Sequence, residues 1–147
     1  NNNIVLFIPG VSKKGNYKQW EPKNFGALAK HLEDNHYLIC VVGTSNDSRS
    51  IIHIKNNCKK VIDYMDKSPP EVIYSLAKIS KLVITNDTGP GHIASLTNQN
   101  ILWVANDNKI TKANIPNTPN NYKLLSLNIK NISSDDAIKF IEKNNLL

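Results

Sequence analysis

The sequence predicts an α/β protein: a doubly wound parallel sheet of about six strands with helices on both faces. Short β-branched runs alternate along the chain with segments whose apolar residues recur at helical spacing, the pattern of stacked βαβ units. A length of 147 residues and a hydrophobic content of 40% suit one well-cored domain and leave no room for a second substantial one. No internal repeat interrupts the alternation.

The strands are expected near Ile4–Ile8, Tyr37–Val42, Lys60–Ile62, Leu82–Thr85, Ile101–Val104 and Lys123–Leu127. Between them, Pro22–Asp34 carries Phe25, Leu28, Ala29 and Leu32 on one helical face, and Ser48–Asn56 carries Ile51 and Ile52. Pro70–Ser80, behind a Ser-Pro-Pro lead-in, places Ile73, Leu76, Ala77 and Ile79 at the same period. Pro90–Thr97 is a shorter helix. Ser134–Asn144, opened by Ser-Ser-Asp-Asp, aligns Ala137, Ile138, Phe140 and Ile141. Asn106–Asn121, rich in Asn and Pro, is the one long stretch expected to be irregular.

Parallel strands of this number favour the order 3-2-1-4-5-6, in which the winding reverses between the first and fourth strands and opens a ligand crevice at their C-terminal ends. The loops leaving those strands, Pro9–Trp20 and Asn86–His92, would then lie side by side. The first carries Lys13, Lys14 and Lys18 with Gly10 and Gly15. The second reads Asn86-Asp87-Thr88-Gly89-Pro90-Gly91-His92-Ile93-Ala94 directly after an apolar strand. A strand that ends in a turn and a helix start aims free backbone N–H groups and a helix dipole at one point, which attracts an anion such as phosphate. Gly89 lets the backbone turn and approach a ligand, and Pro90 suits the first helical position. Thr88 adds a hydroxyl, while Asp87 and His92 can change charge or hold hydroxyls. The same residues also suit an ordinary connection in which Asp87 or Thr88 caps the helix.

Composition narrows the partners. The formal net charge of +6 and a pI near 9.3 favour anionic ligands. Arg49 is the only arginine beside dispersed lysines, however, and no aromatic cluster offers base stacking, so nucleic acid is not expected as a partner. Cys40 and Cys58 have neither C-x-x-C nor metal-ligand spacing and read as reduced thiols of a cytoplasmic protein. No apolar run approaches the ~18 residues that span a bilayer, so membrane association is expected to be peripheral at most. Met65 is the only methionine and Asn1-Asn2-Asn3 runs straight into a strand, which points to a piece of something longer. Trp20 reads as packing, and His31, His36 and His53 have no partner spacing that would assign them a role.

A strand ending in Pro9, Lys18-Gln19-Trp20-Glu21-Pro22 with Phe25 opening a helix, Val41-Val42-Gly43 followed by an acidic residue, and Leu82 through Ala94 together resemble the C-terminal half of the bacterial heptosyltransferases of glycosyltransferase family 9. The resemblance covers nearly the whole chain. It implies a Rossmann-like domain, one half of a GT-B glycosyltransferase, that binds a nucleotide-diphosphate sugar such as ADP-heptose for transfer to a lipid-linked lipopolysaccharide core acceptor. It also implies that residues 1–147 are the donor domain, that the N-terminal acceptor domain with the general base lies outside this chain, and that the chain alone binds donor without transferring sugar. The protein would work in the cytoplasm, up to the inner face of the cytoplasmic membrane.

Under that resemblance Lys18 contacts the donor phosphates, and Thr88 and Gly89 donate to the diphosphate. Asp87 and His92 sit at the sugar or behind the phosphates, and Asp47, by position, reaches ribose hydroxyls. Asp87 also suits pairing with Lys18 or capping the helix. No cofactor or metal is required, because Lys18 and the helix end can neutralise the leaving diphosphate. The chain departs from the family pattern in two loops. Asp63-Tyr64-Met65-Asp66-Lys67-Ser68 lacks the usual glycine after the third strand, and Ala105-Asn106-Asp107-Asn108-Lys109 replaces a Gly-Pro-Thr-type loop after the fifth. Two alternatives stand beside this reading: a nucleotide-binding or interaction module without transferase activity, and a GT-B enzyme that uses a UDP-sugar.

Overall fold

The computed structural model describes residues 3–10 and 13–147, without the side chains of Lys13 and Lys14. Six strands form one sheet: β1 (Ile4–Ile8), β2 (Leu38–Gly43), β3 (Val61–Met65), β4 (Leu82–Thr85), β5 (Asn100–Asn106) and β6 (Asn121–Ser126). Six α-helices connect and cover them: α1 (Pro22–Asp34), α2 (Ser48–Asn57), α3 (Pro70–Ile79), α4 (Gly89–Ala94), α5 (Lys109–Asn114) and α6 (Ser134–Lys143). The strand order is β3-β2-β1-β4-β5-β6, with every neighbouring pair parallel. The winding reverses between β1 and β4, as the alternation of elements predicts.

The period of two along each strand sorts its residues onto two cores. Val5 and Phe7 of β1, Val41 of β2, Ile84 of β4 and Val104 of β5 face α1, α2 and α6, where they meet Phe25, Leu28, Ile54 and Ile141. Leu6, Ile8, Cys40, Val42, Val83 and Trp103 face the other way, against Ile73 and Ala77 of α3 and Ala94 of α4. β1, β4 and the centre of β5 are buried throughout, so both faces of the sheet centre are covered. Each fully buried Leu, Ile, Val or Phe side chain contributes roughly 1.5–3 kcal/mol of transfer free energy.

Element boundaries differ from the periodicity by a residue or two, and one segment differs in kind. The stretch expected to be irregular, Asn106–Asn121, contains α5. Asn108 is its N-cap, accepting from the Thr111 N–H at 2.8 Å, and Thr111 and Ile115 are buried. A local cap and two buried contacts outweigh the weak helix propensity of an Asn-rich sequence. The loop after β1 is likewise structured, with 3₁₀ turns over Lys13–Lys18. Lys13 and Lys14, expected at the crevice, have side chains outside the described residues.

In the loop after β3, where the family pattern has a glycine, Asp66 takes a left-handed conformation (φ 59°). Its carboxylate accepts from the Ser45 N–H at 2.9 Å, and its own N–H donates to the Gly43 carbonyl at 2.8 Å. A short polar side chain with a local hydrogen bond tolerates this region better than other non-glycine residues. No described helix is long and apolar enough to cross a membrane.

Candidate functional site

Three residues at the ends of β4 and β5, with Trp20 from the loop after β1, build the floor of the site. Thr85, the last residue of β4, is fully buried, and its hydroxyl donates to the Asn86 carbonyl at 2.9 Å. Asn86, also fully buried, accepts from the Trp20 N–H through Oδ1 at 3.3 Å and donates to the Val104 carbonyl through Nδ2 at 2.9 Å. One side chain thus joins the loop after β1 to β4 and β5. Asn106 ties the same loop from the next strand, donating to the Tyr17 carbonyl at 2.9 Å and accepting from the Ile129 N–H at 2.8 Å. Trp20 has no exposed surface; its Nε1 donates to the Ile132 carbonyl at 2.7 Å and its ring packs edge-on against Phe25, the packing role its context suggests.

These contacts hold the two loops side by side over the reversal point, where they enclose a cleft of about 370 Å³. Lys18, Asp47, Asp87, Thr88, Gly89 and Pro90 all line it. His92 joins through Asp87: its Nε2 lies 3.5 Å from Oδ1, while its ring leans on Trp103 at 5.1 Å. Lys18, Asp47, Asp87, Thr88, Gly89, Pro90 and His92 therefore fall at or beside one cleft.

Their local roles are more differentiated than the sequence implies. Thr88 is the N-cap of α4, and its hydroxyl oxygen accepts from the Gly91 N–H at 3.1 Å. The His92 N–H donates to the Thr88 carbonyl at 3.2 Å and Pro90 has no N–H, so the amides of Thr88 and Gly89 are the donors left without a partner among the described residues. Gly89 has no positive φ, so the turn does not require its conformational freedom. A Cβ built there meets nothing within 4 Å, and the missing side chain leaves open space over the helix start. Gly91 is the reverse case: a Cβ would stand 2.8 Å from Thr85 Oγ1 and 3.0 Å from the Trp103 ring.

Asp87 is the electrostatic centre, with only 6% of its surface exposed. Lys18 Nζ stands 3.3 Å from its Oδ2, on the opposite side from His92. The lysine is close enough to pair by charge but off the hydrogen-bonding direction, so Oδ2 accepts no hydrogen bond among the described residues. A buried carboxylate oxygen in that state is poised to accept a hydroxyl.

Asp47 lines the cleft and also closes a local turn. Its Oδ2 accepts from the Thr44 N–H at 2.8 Å and from the Thr44 hydroxyl at 3.3 Å, closing the 3₁₀ turn Ser45–Asp47. It also packs against Gly10, where a Cβ would fall 2.6 Å from Oδ2. Among the described residues no group of three His, Cys, Asp or Glu side chains could hold a metal ion.

Sequence reasoning gave no role to Thr85, Asn86 or Asn106. Their signal was present in outline: amide or hydroxyl side chains that directly end buried apolar strands must find partners, and the crevice is where partners are available.

Residues 1–131 match the family model described as glycosyltransferase family 9 (heptosyltransferase). The fold also matches solved structures. Escherichia coli ADP-heptose lipopolysaccharide heptosyltransferase II superposes with a TM-score of 0.82 at 18% identity, covering 97% of this chain and 46% of that one. E. coli heptosyltransferase WaaC with ADP gives a TM-score of 0.80 at 17% identity, with 99% and 45% covered. The family 9 glycosyltransferase from Veillonella parvula DSM 2008 gives 0.85 at 17% identity, with 97% and 46% covered. The chain thus spans about half the length of the solved relatives it matches. No curated protein matches it significantly.

Proposed function

This chain belongs to glycosyltransferase family 9, the heptosyltransferase family, and we propose that it is the donor-binding half of a GT-B enzyme that takes a nucleotide-diphosphate sugar, ADP-heptose in the leading reading, for transfer to a lipopolysaccharide core acceptor. The observation that carries this is the pairing of Lys18 with the buried Asp87 at 3.3 Å, beside the unfilled space over Gly89. The cleft offers an ammonium, two amides without a partner among the described residues, and a carboxylate within one small volume. That set matches a sugar diphosphate: cation and amides for the phosphates, and a buried carboxylate for a hydroxyl.

Chemically, the diphosphate is the leaving group, and its negative charge grows as the anomeric bond breaks. Lys18 and the amides of Thr88 and Gly89 are placed where that charge appears, and donors fixed before the reaction stabilise the transition state more than groups that must reorganise. Asp87 would otherwise repel the phosphates, but the Lys18 ammonium stands 3.3 Å from its Oδ2 and offsets its charge. The carboxylate thereby positions Lys18 and leaves Oδ2 available to a sugar hydroxyl. The general base for the acceptor and most of the acceptor site lie in an N-terminal domain outside this chain, so the isolated chain binds donor and does not transfer sugar.

Calorimetric titration with ADP, UDP and ADP-heptose tests this. ADP and ADP-heptose are expected to bind and UDP to bind more weakly, and Lys18→Ala should cost about 1–3 kcal/mol of affinity, the usual loss for a charge-assisted hydrogen bond. Unchanged affinity in Lys18→Ala would remove the proposed phosphate site, and a preference for UDP would move the protein to another sugar nucleotide.

A further inference from the structure

A second and larger cavity, about 690 Å³, lies on the far side of the Lys18–Trp20 segment and shares Asn46 with the donor cleft. Its floor is rigid. Trp20 is fully buried with its indole N–H bonded to the Ile132 carbonyl, and Gln19 donates to the buried Ser50 hydroxyl at 3.1 Å. Its rim is basic: Lys23, Arg49, His53 and Lys130 face a single acid, Glu21. Glu21 pairs with Lys23 at 3.4 Å, while Arg49 and Lys130 have no carboxylate within ion-pair distance among the described residues.

Arg49 is the only arginine of the chain, and its planar fork suits phosphate or carboxylate better than the point charge of a lysine. The thirteen-residue α1 also starts here. Its first turn has no acidic residue, and Glu21 at the N-cap makes no side-chain cap hydrogen bond. Pro22 has no N–H, and those of Asn24 and Phe25 go to the Glu21 carbonyl, which leaves the Lys23 N–H at the positive end of the dipole without a partner among the described residues.

We propose that this cavity is a second anion site, distinct from the donor cleft, which holds a phosphate or carboxylate group of the acceptor saccharide while the nucleotide is bound. The word acceptor rests on the donor reading above; the anion site itself rests on the cavity, its unpaired cations and the uncapped helix start. Arg49 and Lys130 grip the anion and the Lys23 amide donates to it. The wall formed by Lys18–Trp20 keeps its charge apart from the diphosphate, and the shared Asn46 marks where the two ligands approach one another.

The test is an NMR titration of the ¹⁵N-labelled chain at low salt with fructose 1,6-bisphosphate, with digalacturonate and with uncharged maltose, each in the absence and presence of saturating ADP. At least one anionic probe is expected to shift the Lys23 amide and the Arg49 side-chain signal, with or without ADP, while maltose does not. Which anion binds tighter identifies a phosphate or a carboxylate source. The double substitution Arg49→Ala with Lys130→Ala should weaken that probe by about tenfold or more, equivalent to one lost charge-assisted contact, and leave ADP affinity unchanged.

The proposal is overturned if ADP abolishes the shifts, since the anion was then in the donor cleft. It is also overturned if the double variant binds the probes as well as the native chain, or if neither anion shifts these signals. ADP that fails to bind in the same titrations would sink the donor reading, and with it the attribution to an acceptor, independently of the Arg49 signals.

Discussion

The two clefts meet at Asn46 and hold their charge in opposite ways. In the donor cleft a buried carboxylate, Asp87, is flanked by Lys18 and His92, and the backbone beneath it is capped by Thr88 and packed through Gly91. In the basic cavity Arg49, Lys130 and His53 are exposed and only the floor is fixed. The first arrangement couples binding to stability, because the groups that shape the cleft also hold the fold. The second leaves them separate, because exposed cations contribute little to stability and are screened by salt.

Substitutions can break that contrast at several points. The largest effect is expected at Gly91, where a Cβ would crowd Thr85 and Trp103. Gly91→Ala should destabilise the chain by about 1–3 kcal/mol in urea unfolding, and no loss would mean the floor of the donor cleft is softer than its contacts indicate. Thr88→Ala removes the cap of α4 and should cost about 1 kcal/mol of stability, together with weaker ADP binding by calorimetry. Thr88→Ser should restore the stability, since serine caps as well. Two residues from Gly91, Gly89→Ala should leave stability within about 0.5 kcal/mol, because the new methyl meets no protein atom, yet weaken ADP binding by filling the space over the helix start. Arg49→Ala should move the melting temperature least, its change in stability staying within about 0.5 kcal/mol; a larger drop would show that the basic rim is structural.

The two thiols separate the cores under the two clefts. Cys40 lies in the core of the β4–α4 face, and burial pushes its thiol from 9.0 to about 12. Cys58 lies in the α1–α2 core, and burial pushes it from 9.0 to about 11. A raised thiol pKa adds stability that is intact below pH 9.0 and is lost as pH rises through the folded value. Stability should therefore decline above about pH 9, and a thiol reagent at pH 8 should label neither cysteine until the chain unfolds. Cys58 is the first expected to react as pH rises. Rapid labelling of Cys40 at pH 8 in the folded protein would contradict the tight packing beneath the donor cleft.

The order of the sheet was legible because each step used a local signal. Apolar runs such as Leu82–Thr85 and helical faces such as Phe25, Leu28 and Leu32 report burial directly, and a parallel βαβ alternation admits few topologies. The approach of Lys18 to Asp87 followed from that topology, since it places the two strand ends beside one another. α5 was not legible, because Asn108 and Thr111 form it through a cap and burial that no periodicity announces. Nor was the basic cavity: Lys23, Arg49 and Lys130 are scattered along the chain and read as a solvated surface until folding gathers them.

By itself the sequence determined the fold class, the strand order, the reversal point and the identity of the residues around it, because hydrophobic period and turn chemistry act within a few residues of their own position. Only the tertiary structure decided how those residues divide their labour. Thr88 spends its oxygen on a cap, Asp47 closes a turn, Gly89 leaves a void, and Asp87 keeps one oxygen without a hydrogen-bond donor among the described residues. Each of those outcomes depends on which groups distant in the chain arrive within about 3 Å, the range over which hydrogen bonds are made or missed.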